Sequence, residues 1–376
     1  MSRKGENIYK RKDGRWEGRY KCGFDENGKT KYKSIYSKSY KDCKEKLNYV
    51  KCTQVKKKSN VKISITIKEL LLLWLNSILI NIKKSTADTY LIIINNHIIP
   101  IMGNMSVNMV TTEFINKFIA EKINSGRLDG KGGLSAKTVQ NIISVLKSAF
   151  KYAEKIYGIN NPANFVTMPK SDKKEIEVLS DKEIEAIRQY CTNHPDYFAL
   201  VYELCLSTGI RIGELCALQY EDIDFDNGVL IVRKTVQRVK NDDTSANNKT
   251  KVIITSPKTK NSDRKIPLPE RLLEKLKEFT ALNKDSDFIF SSDGKKTLDV
   301  RTIQKKFASV LKKCGIKKVK FHILRHTFST KWVNSGFDIK GLSEILGHSS
   351  VNITLSLYVH PSIETKRKQI NELFAA

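Results

Sequence analysis

FHILRHTFST (residues 321–330) and ILGHSSVNITLSLYVH (residues 345–360) decide how this chain is read. In the first stretch Ile323, Leu324, Phe328 and Trp332 recur at helical spacing. His322 and Arg325, three apart, therefore share a face and aim an imidazole and a guanidinium at one spot. In the second, Gly347 permits a tight turn that exposes His348, and Tyr358 follows on a short helix. Any one of these side chains is ordinary on the solvated face of a helical domain. Two imidazoles, an arginine and a tyrosine gathered so closely need a better account. His322 and His326, four apart, also have the spacing of a zinc pair completed by His348 or Cys314. A His-Glu-x-x-His arrangement would need glutamate where Ile323 stands, so no metal is expected.

Working upstream, TGIRIGEL (208–215) puts Arg211 and Glu214 three apart in an apolar run. Buried charges are costly unless paired, so these two require each other or a ligand. Pro257-Lys258-Thr259 lies between two β-branched segments, where a lysine on a hairpin tip can reach a neighbouring groove. Taken in order, Arg211, Lys258, His322, Arg325, His348 and Tyr358, with Glu214 beside the first arginine, resemble the signature of the tyrosine recombinases of the phage integrase family. The similarity is greatest to integrases of Gram-positive conjugative transposons and temperate phages. A departure is Tyr220, where that family commonly carries tryptophan, and it changes a packing aromatic only.

The resemblance implies a chemistry. Tyr358 attacks a scissile DNA phosphate and forms a 3′-phosphotyrosyl bond. Arg211 and Arg325 hold the non-bridging oxygens, because a planar guanidinium grips two oxygens at once. Lys258 protonates the departing 5′ oxygen, His322 is the acid/base partner of Tyr358, and His348 is a further phosphate donor. Glu214 orients Arg211, and His326 is expected to be structural, hydrogen-bonded beneath Arg325. Strand exchange through a Holliday junction by a homotetramer on double-stranded DNA, without a cofactor, then integrates and excises a mobile element. An excisionase and a host DNA-bending protein are the expected partners. A chromosome-dimer resolvase or type IB topoisomerase shares this chemistry, and a non-catalytic DNA-binding regulator shares the charge.

Bulk composition agrees with a polyanionic partner: Lys and Arg number 67 against 40 Asp and Glu, a net charge of +27 over 376 residues. The seven cysteines are scattered without a C-x-x-C pair, as free thiols in a reducing cytoplasm would be. Leu70–Ile80, the longest strongly apolar stretch, is too short for a membrane span. A cytoplasmic, nucleoid-associated protein with no membrane partner is expected.

Three domains are expected along the chain. Residues 1–58 read as a three-stranded sheet (Ile8–Lys12, Trp16–Lys21, Lys31–Ile35) with turns at Asp13-Gly14 and residues 25–28, covered by a helix bearing Tyr40, Cys43, Leu47 and Val50. Its candidate DNA contacts are Lys10, Lys12, Arg15, Arg19, Lys21, Lys31 and Lys33, interleaved with Trp16, Tyr20, Tyr32 and Tyr36, and the stretch resembles the arm-type DNA-binding module of such integrases. Residues 62–168 read as an all-helical, core-binding (SAM-like) domain. It has capping boxes at Thr66/Glu69 and Ser85/Asp88, a helix after Thr111 and another after Ser135, and candidate phosphate contacts Lys83, Lys84, Lys137, Lys147 and Lys151. The charged run Lys170–Glu177 reads as a hinge. Residues 179–376 form the mixed α/β catalytic domain, opened by a staple and capping box at Leu179, Ser180, Glu183 and Ile184. Strands are expected at Val229–Val232, Val252–Thr255 and Lys265–Leu268, with Gln237–Thr250 a mobile polar loop. Ile363, Ile370, Leu373 and Phe374 give the tail an apolar stripe, and the resemblance favours its exchange between protomers.

Overall fold

The computed structural model describes residues 7–24, 29–58, 65–171, 176–243, 248–255, 263–282, 286–291 and 293–358, together with 367, 370, 371 and 374. Lys258, the turn at residues 25–28, and Ile363 and Leu373 of the tail lie outside the described residues. Contacts divide the chain into two units, Met1–Asp172 and Lys173–Ala376.

In the first unit, strands β1 (Ile8–Lys10), β2 (Trp16–Phe24) and β3 (Thr30–Ser37) form an antiparallel sheet in that order, backed by helix α1 (Tyr40–Lys58). Both longer strands outrun their expected ends, because cross-strand pairing continues from Trp16↔Ser37 to Phe24↔Thr30 through a bulge. Ile8, Cys43 and Leu47 form the small core, with Trp16, Tyr20, Ile35 and Tyr40 around them. Gly18 makes this closeness possible: a Cβ there would stand 3.1 Å from Cys43 Sγ. Side chains alternate across a sheet, so the register sorts the expected DNA contacts onto both faces. Arg19 and Lys21 point away from α1 with Tyr9, Tyr32 and Tyr36, whereas Lys10 and Lys33 share the side of Trp16 and Tyr20. Arg15 is paired with Asp13, and Arg19 with Glu17.

The rest of this unit is helical: α2 (Ile67–Ile78), α3 (Lys84–Ile93), α4 (Ile99–Met102), α5 (Thr112–Ser125) and α6 (Ala136–Tyr157), around a core that includes Leu70, Trp74, Ile94, Phe118, Leu146 and Phe150. The capping box at Thr66 forms as expected, with the Thr66 N–H donating to Glu69 Oε2 at 2.7 Å and the Glu69 N–H to Thr66 Oγ1 at 3.3 Å. The one at Ser85 does not. Lys83, in extended conformation, is the N-cap of α3, so Ser85 falls inside the helix and its carbonyl accepts from Thr89 Oγ1. Lys137, Gln140, Ser144, Lys147 and Lys151 fall in one stripe about 80° wide on α6, given 3.6 residues per turn. Lys83 and Lys84 are half-buried at the start of α3.

The second unit runs α7 (Asp181–Asn193), α8 (Tyr197–Thr208), α9 (Ile212–Leu215), β4 (Ile223–Asp224), β5 (Val229–Val232), β6 (Thr235–Lys240), β7 (Thr250–Thr255), β8 (Arg264–Pro267), α10 (Glu270–Leu282), α11 (Val300–Lys313), α12 (Ile323–Asn334), α13 (Ile339–Leu346) and α14 (Val351–Tyr358). Ser180 and Glu183 make the expected capping box, and Leu179 and Ile184 are buried in one cluster. One sequence expectation fails. Gln237–Lys240 and Thr250 are strand rather than loop, because β6 pairs with β7 from Thr235↔Thr255 to Lys240↔Thr250. The strand β8 pairs with β5, in a separate sheet of order β4-β5-β8, and the expected position of Lys258 on a hairpin tip falls outside the described residues. In the tail, Ile370 and Phe374 are exposed.

Gly209 ends α8 in the left-handed conformation (φ 63°), turning the chain back toward Arg211. A Cβ at Gly209 would lie 2.6 Å from Phe328 Cδ1 and 2.9 Å from Leu346 Cδ2. Gly209→Ala is expected to lower stability by about 2 kcal/mol or more, from left-handed strain plus overpacking. Urea unfolding of the variant measures it.

Candidate active site

Four separated segments meet near the end of α8. Arg211 is the N-cap of α9, with its N–H donating to Glu214 Oε2 at 3.1 Å and its Nη1 to Glu214 Oε1 at 2.8 Å. Its Nη2 reaches the carbonyl of Gly347 at 3.2 Å. The i, i+3 spacing thus closes a cap on the helix as well as an ion pair. Glu214 is buried, and its Oε2 also accepts from Arg264 Nη2 at 2.8 Å. Burial alone would raise this carboxyl, but Arg264 and Arg211 outweigh it and hold its pKa below the ordinary carboxylate value.

Arg325 is 3% exposed and held from two sides. Its Nη1 donates to Gly209 O and its Nη2 to Leu346 O, each at 2.8 Å, and Nη2 lies 3.0 Å from His348 Nε2. Burial, then the cations Arg211 and Arg264, pull its pKa down to about 9, which still leaves it charged at neutral pH. Guanidinium cannot accept a hydrogen bond, so His348 Nε2 must carry the lone pair. Nδ1 then holds the proton and donates to Thr354 Oγ1 at 2.8 Å. His348 therefore accepts from Arg325 here, whereas the sequence pointed to a phosphate donor.

Tyr358, at the end of α14, is buried beside Leu342 and Leu346, with Phe328 and Trp332 against it. Its hydroxyl is 2.8 Å from His326 Nδ1. His326 is thus a partner of the tyrosine rather than a prop beneath Arg325: as the next residue along α12 it points to a different side of the helix. His322, the N-cap of α12, meets His326 edge-on with ring centroids 4.7 Å apart. Burial raises the phenol of Tyr358, against smaller opposing effects of Ser329, Arg325 and Arg211. It also lowers His326, with help from Arg325.

Arg211, Glu214, His322, Arg325, His326, His348 and Tyr358 are therefore brought together around α12, and Lys258 lies outside the described residues. Arg264 and Thr354 belong to the site and escaped the sequence reading. Arg264 had a signal: in RKIP it sits at an inward-facing strand position, and a buried arginine must find a carboxylate. Thr354 had none, since its partner depends on how α14 docks. The seven-residue group contains no set of three or more His, Cys, Asp or Glu able to hold a metal, and none occurs among the described residues.

The surrounding protein lowers His322 to about 4, helped by His326, Arg325 and Arg211, although the residue keeps an exposed edge. Burial and then Arg325 lower His348 to about 4 as well. A histidine depressed in the folded state binds fewer protons than in the unfolded chain between these values and 6.5. Stability therefore falls as pH drops from 6.5 toward 4. The melting temperature is expected to decline across that window, with a shallower decline in His348→Asn, as thermal melts at fixed ionic strength will measure.

Comparison with known proteins gives the family. Residues 177–365 match the model of the phage integrase family, and residues 66–123 that of the phage integrase N-terminal SAM-like domain. The chain belongs to the phage integrase family, the tyrosine recombinases. It is 29% identical to a tyrosine recombinase XerC-like protein of Caldanaerobacter subterraneus subsp. tengcongensis over 94% of each chain. A tyrosine recombinase of Pseudothermotoga lettingae is 30% identical over 65% of this chain and 77% of its own. Among solved structures, an integrase of the Tn1549 transposon in complex with a circular intermediate DNA superposes with a TM-score of 0.69. It is 25% identical, and the match covers 82% of this chain and 100% of that one. The small sheet, the helical region and the mixed α/β region are those of this fold. No described helix is long and apolar enough to cross a membrane.

Proposed function

We propose that this chain is a site-specific integrase, which cleaves and rejoins double-stranded DNA through a 3′-phosphotyrosyl intermediate to integrate and excise a mobile element. The observation that carries the reading is the convergence of Arg211 and Arg325 on the carbonyls of one turn, Leu346-Gly347, with Tyr358 in the same chain's pocket. The attacked phosphorus gathers negative charge on its non-bridging oxygens, so fixed guanidinium donors are worth most in the transition state. Glu214 and Arg264 fix Arg211 in advance. The carbonyls of Gly209 and Leu346 fix Arg325, leaving little to reorganise as charge develops. Lys258 is assigned, by family resemblance, the proton for the departing 5′ oxygen. The phosphotyrosyl bond conserves the energy of the phosphodiester, so religation to another strand needs neither ATP nor metal.

Residues 179–376 act as the catalytic domain in this reading, residues 62–168 as the core-site binder and residues 1–58 as the arm-site binder. The lysine stripe of α6 and the outer face of β1–β3 are the phosphate-facing surfaces. Binding to either site should weaken steeply with salt, with a log–log slope of about −0.9 for each neutralised phosphate. A gel-shift salt series checks this, and a flat response would remove the phosphate contacts. The related transposon integrase was solved with DNA, which supports a DNA partner here. Assembly as a tetramer passing through a Holliday junction, with an excisionase and a host bending protein, completes the proposal. The test is a plasmid carrying two copies of the element's joined ends, incubated with the chain in excess chelator. Recombinant circles are expected; relaxation of supercoils without recombinants would favour a topoisomerase, and loss of all cleavage would exclude a metal-free mechanism.

A further inference from the structure

We propose that His326 is a catalytic residue of this site, taking the proton from Tyr358 Oη as that oxygen attacks phosphorus. The inference deepens the recombinase reading and rests on it. Tyr358 is 8% exposed, and two polar side chains of α12 meet its hydroxyl: His326, with Nδ1 at 2.8 Å, and Ser329, whose own hydroxyl donates to the Arg325 carbonyl and has no basicity to offer. That is the distance of a direct proton transfer, and a general base must first satisfy this geometry. His322 is placed differently: its ring packs edge-on against His326, centroids 4.7 Å apart. The groups facing His326 are His322 and Arg325 from α12 and Tyr358 from α14. Burial and then Arg325 keep the resting ring neutral, so Nδ1 has a lone pair for the phenol proton, and the negative charge the tyrosine brings to the phosphate offsets the imidazolium that forms.

The step balances within the chain and its DNA. The O–H bond of Tyr358 breaks with its proton passing to His326 Nδ1. The Oη–phosphorus bond forms, and the bond from phosphorus to the 5′ oxygen breaks. That oxygen leaves as a hydroxyl, protonated by a separate acid, Lys258 in the reading above or water. On religation an incoming 5′ hydroxyl loses its proton to that same group, and Oη leaves and recovers its own from His326. Arg325 and His326, consecutive on one helix, thereby couple the phosphate grip to the activation of the nucleophile.

The experiment compares the full-length chain with His326→Asn, whose amide occupies the place of Nδ1 and keeps a hydrogen bond without basicity. His326→Gln serves as a second variant should the first not fold. Single-turnover cleavage is followed on suicide duplexes of the element's end, one with the natural 5′ oxygen and one with a bridging 5′ sulfur at the scissile bond. The expected loss is about 10²–10⁴-fold on both duplexes, since a better leaving group does not repair a missing base. Replacing Tyr358 with a fluorinated tyrosine of lower phenol pKa should recover about tenfold or more in the variant, because an acidic phenol needs less help. An Asn variant within about threefold of the unsubstituted chain would overturn the proposal. So would rescue by the sulfur leaving group, which marks a missing acid, or failure of the fluorotyrosine to recover any rate. If the unsubstituted chain forms no adduct on either duplex, the recombinase reading itself fails. If that chain cleaves normally and only the variant comparison disagrees, His326 alone loses its role.

Discussion

Tyr358→Phe is expected to leave no detectable covalent protein–DNA adduct, while binding to half-site DNA stays within about twofold, because the buried ring keeps its size and packing. The substitution removes one oxygen and its hydrogen bond to His326, leaving the ring among Leu342, Leu346, Phe328 and Trp332. Losing one such hydrogen bond costs about 1–3 kcal/mol while the ring packing is kept, so the fold survives. Chemistry does not survive, since removing a nucleophile from an intact constellation typically lowers turnover by about 10⁶-fold. Gel-shift titration and denaturing-gel detection of the adduct, run on the same preparations, separate the two effects. Retained adduct in the variant would mean that another tyrosine attacks.

The second large effect falls on Glu214. Its carboxylate is 4% exposed and receives Arg211 and Arg264 together. Glu214→Ala strands a buried Arg264 guanidinium and takes the brace from Arg211, so a stability loss of about 3–5 kcal/mol is expected. Cleavage by protein that remains folded should fall by about 10²–10³, as for losing one aligned donor. Glu214→Gln keeps the shape and loses the charge, and should lie between. Because the carboxyl's pKa is lowered in the folded state, its stabilisation is present above the unfolded carboxylate value. It is lost as pH falls through the folded one. Urea unfolding at neutral and acid pH measures both consequences: the gap between Glu214→Gln and the unsubstituted chain should narrow in acid.

How much of this was legible in the sequence depended on range. Local devices were readable: the capping boxes at Thr66 and Ser180 and the helix Ile339–Leu346 follow from contacts within four residues. The Ser85 box had the same spacing and failed, because Lys83 takes the N-cap two residues earlier and a side chain inside a helix cannot cap it. Strand pairing was not readable, since β6 finds β7 across a polar span and β8 instead joins β5. The polar outward faces of β6 made it read as loop, and only Val236 and Val239 are buried there. The ordered set Arg211, Glu214, His322, Arg325, His348 and Tyr358 was legible as a pattern of types. Their roles within the set were less so. His326 read as a prop beneath Arg325, and only the docking of α14 brings Tyr358 to it; His348 read as a phosphate donor, and only the fold sets its Nε2 against Arg325. Arg264 was legible in principle, as a charge at an inward-facing strand position, which must meet a carboxylate.

The most direct measurement of the central claim is to trap the adduct on a suicide duplex, digest it, and identify the modified peptide by mass spectrometry. The expected result is a single nucleotide-bearing peptide with the modification on Tyr358, formed equally well in excess chelator. A modification on any other residue, or an adduct that requires added metal, would contradict the account.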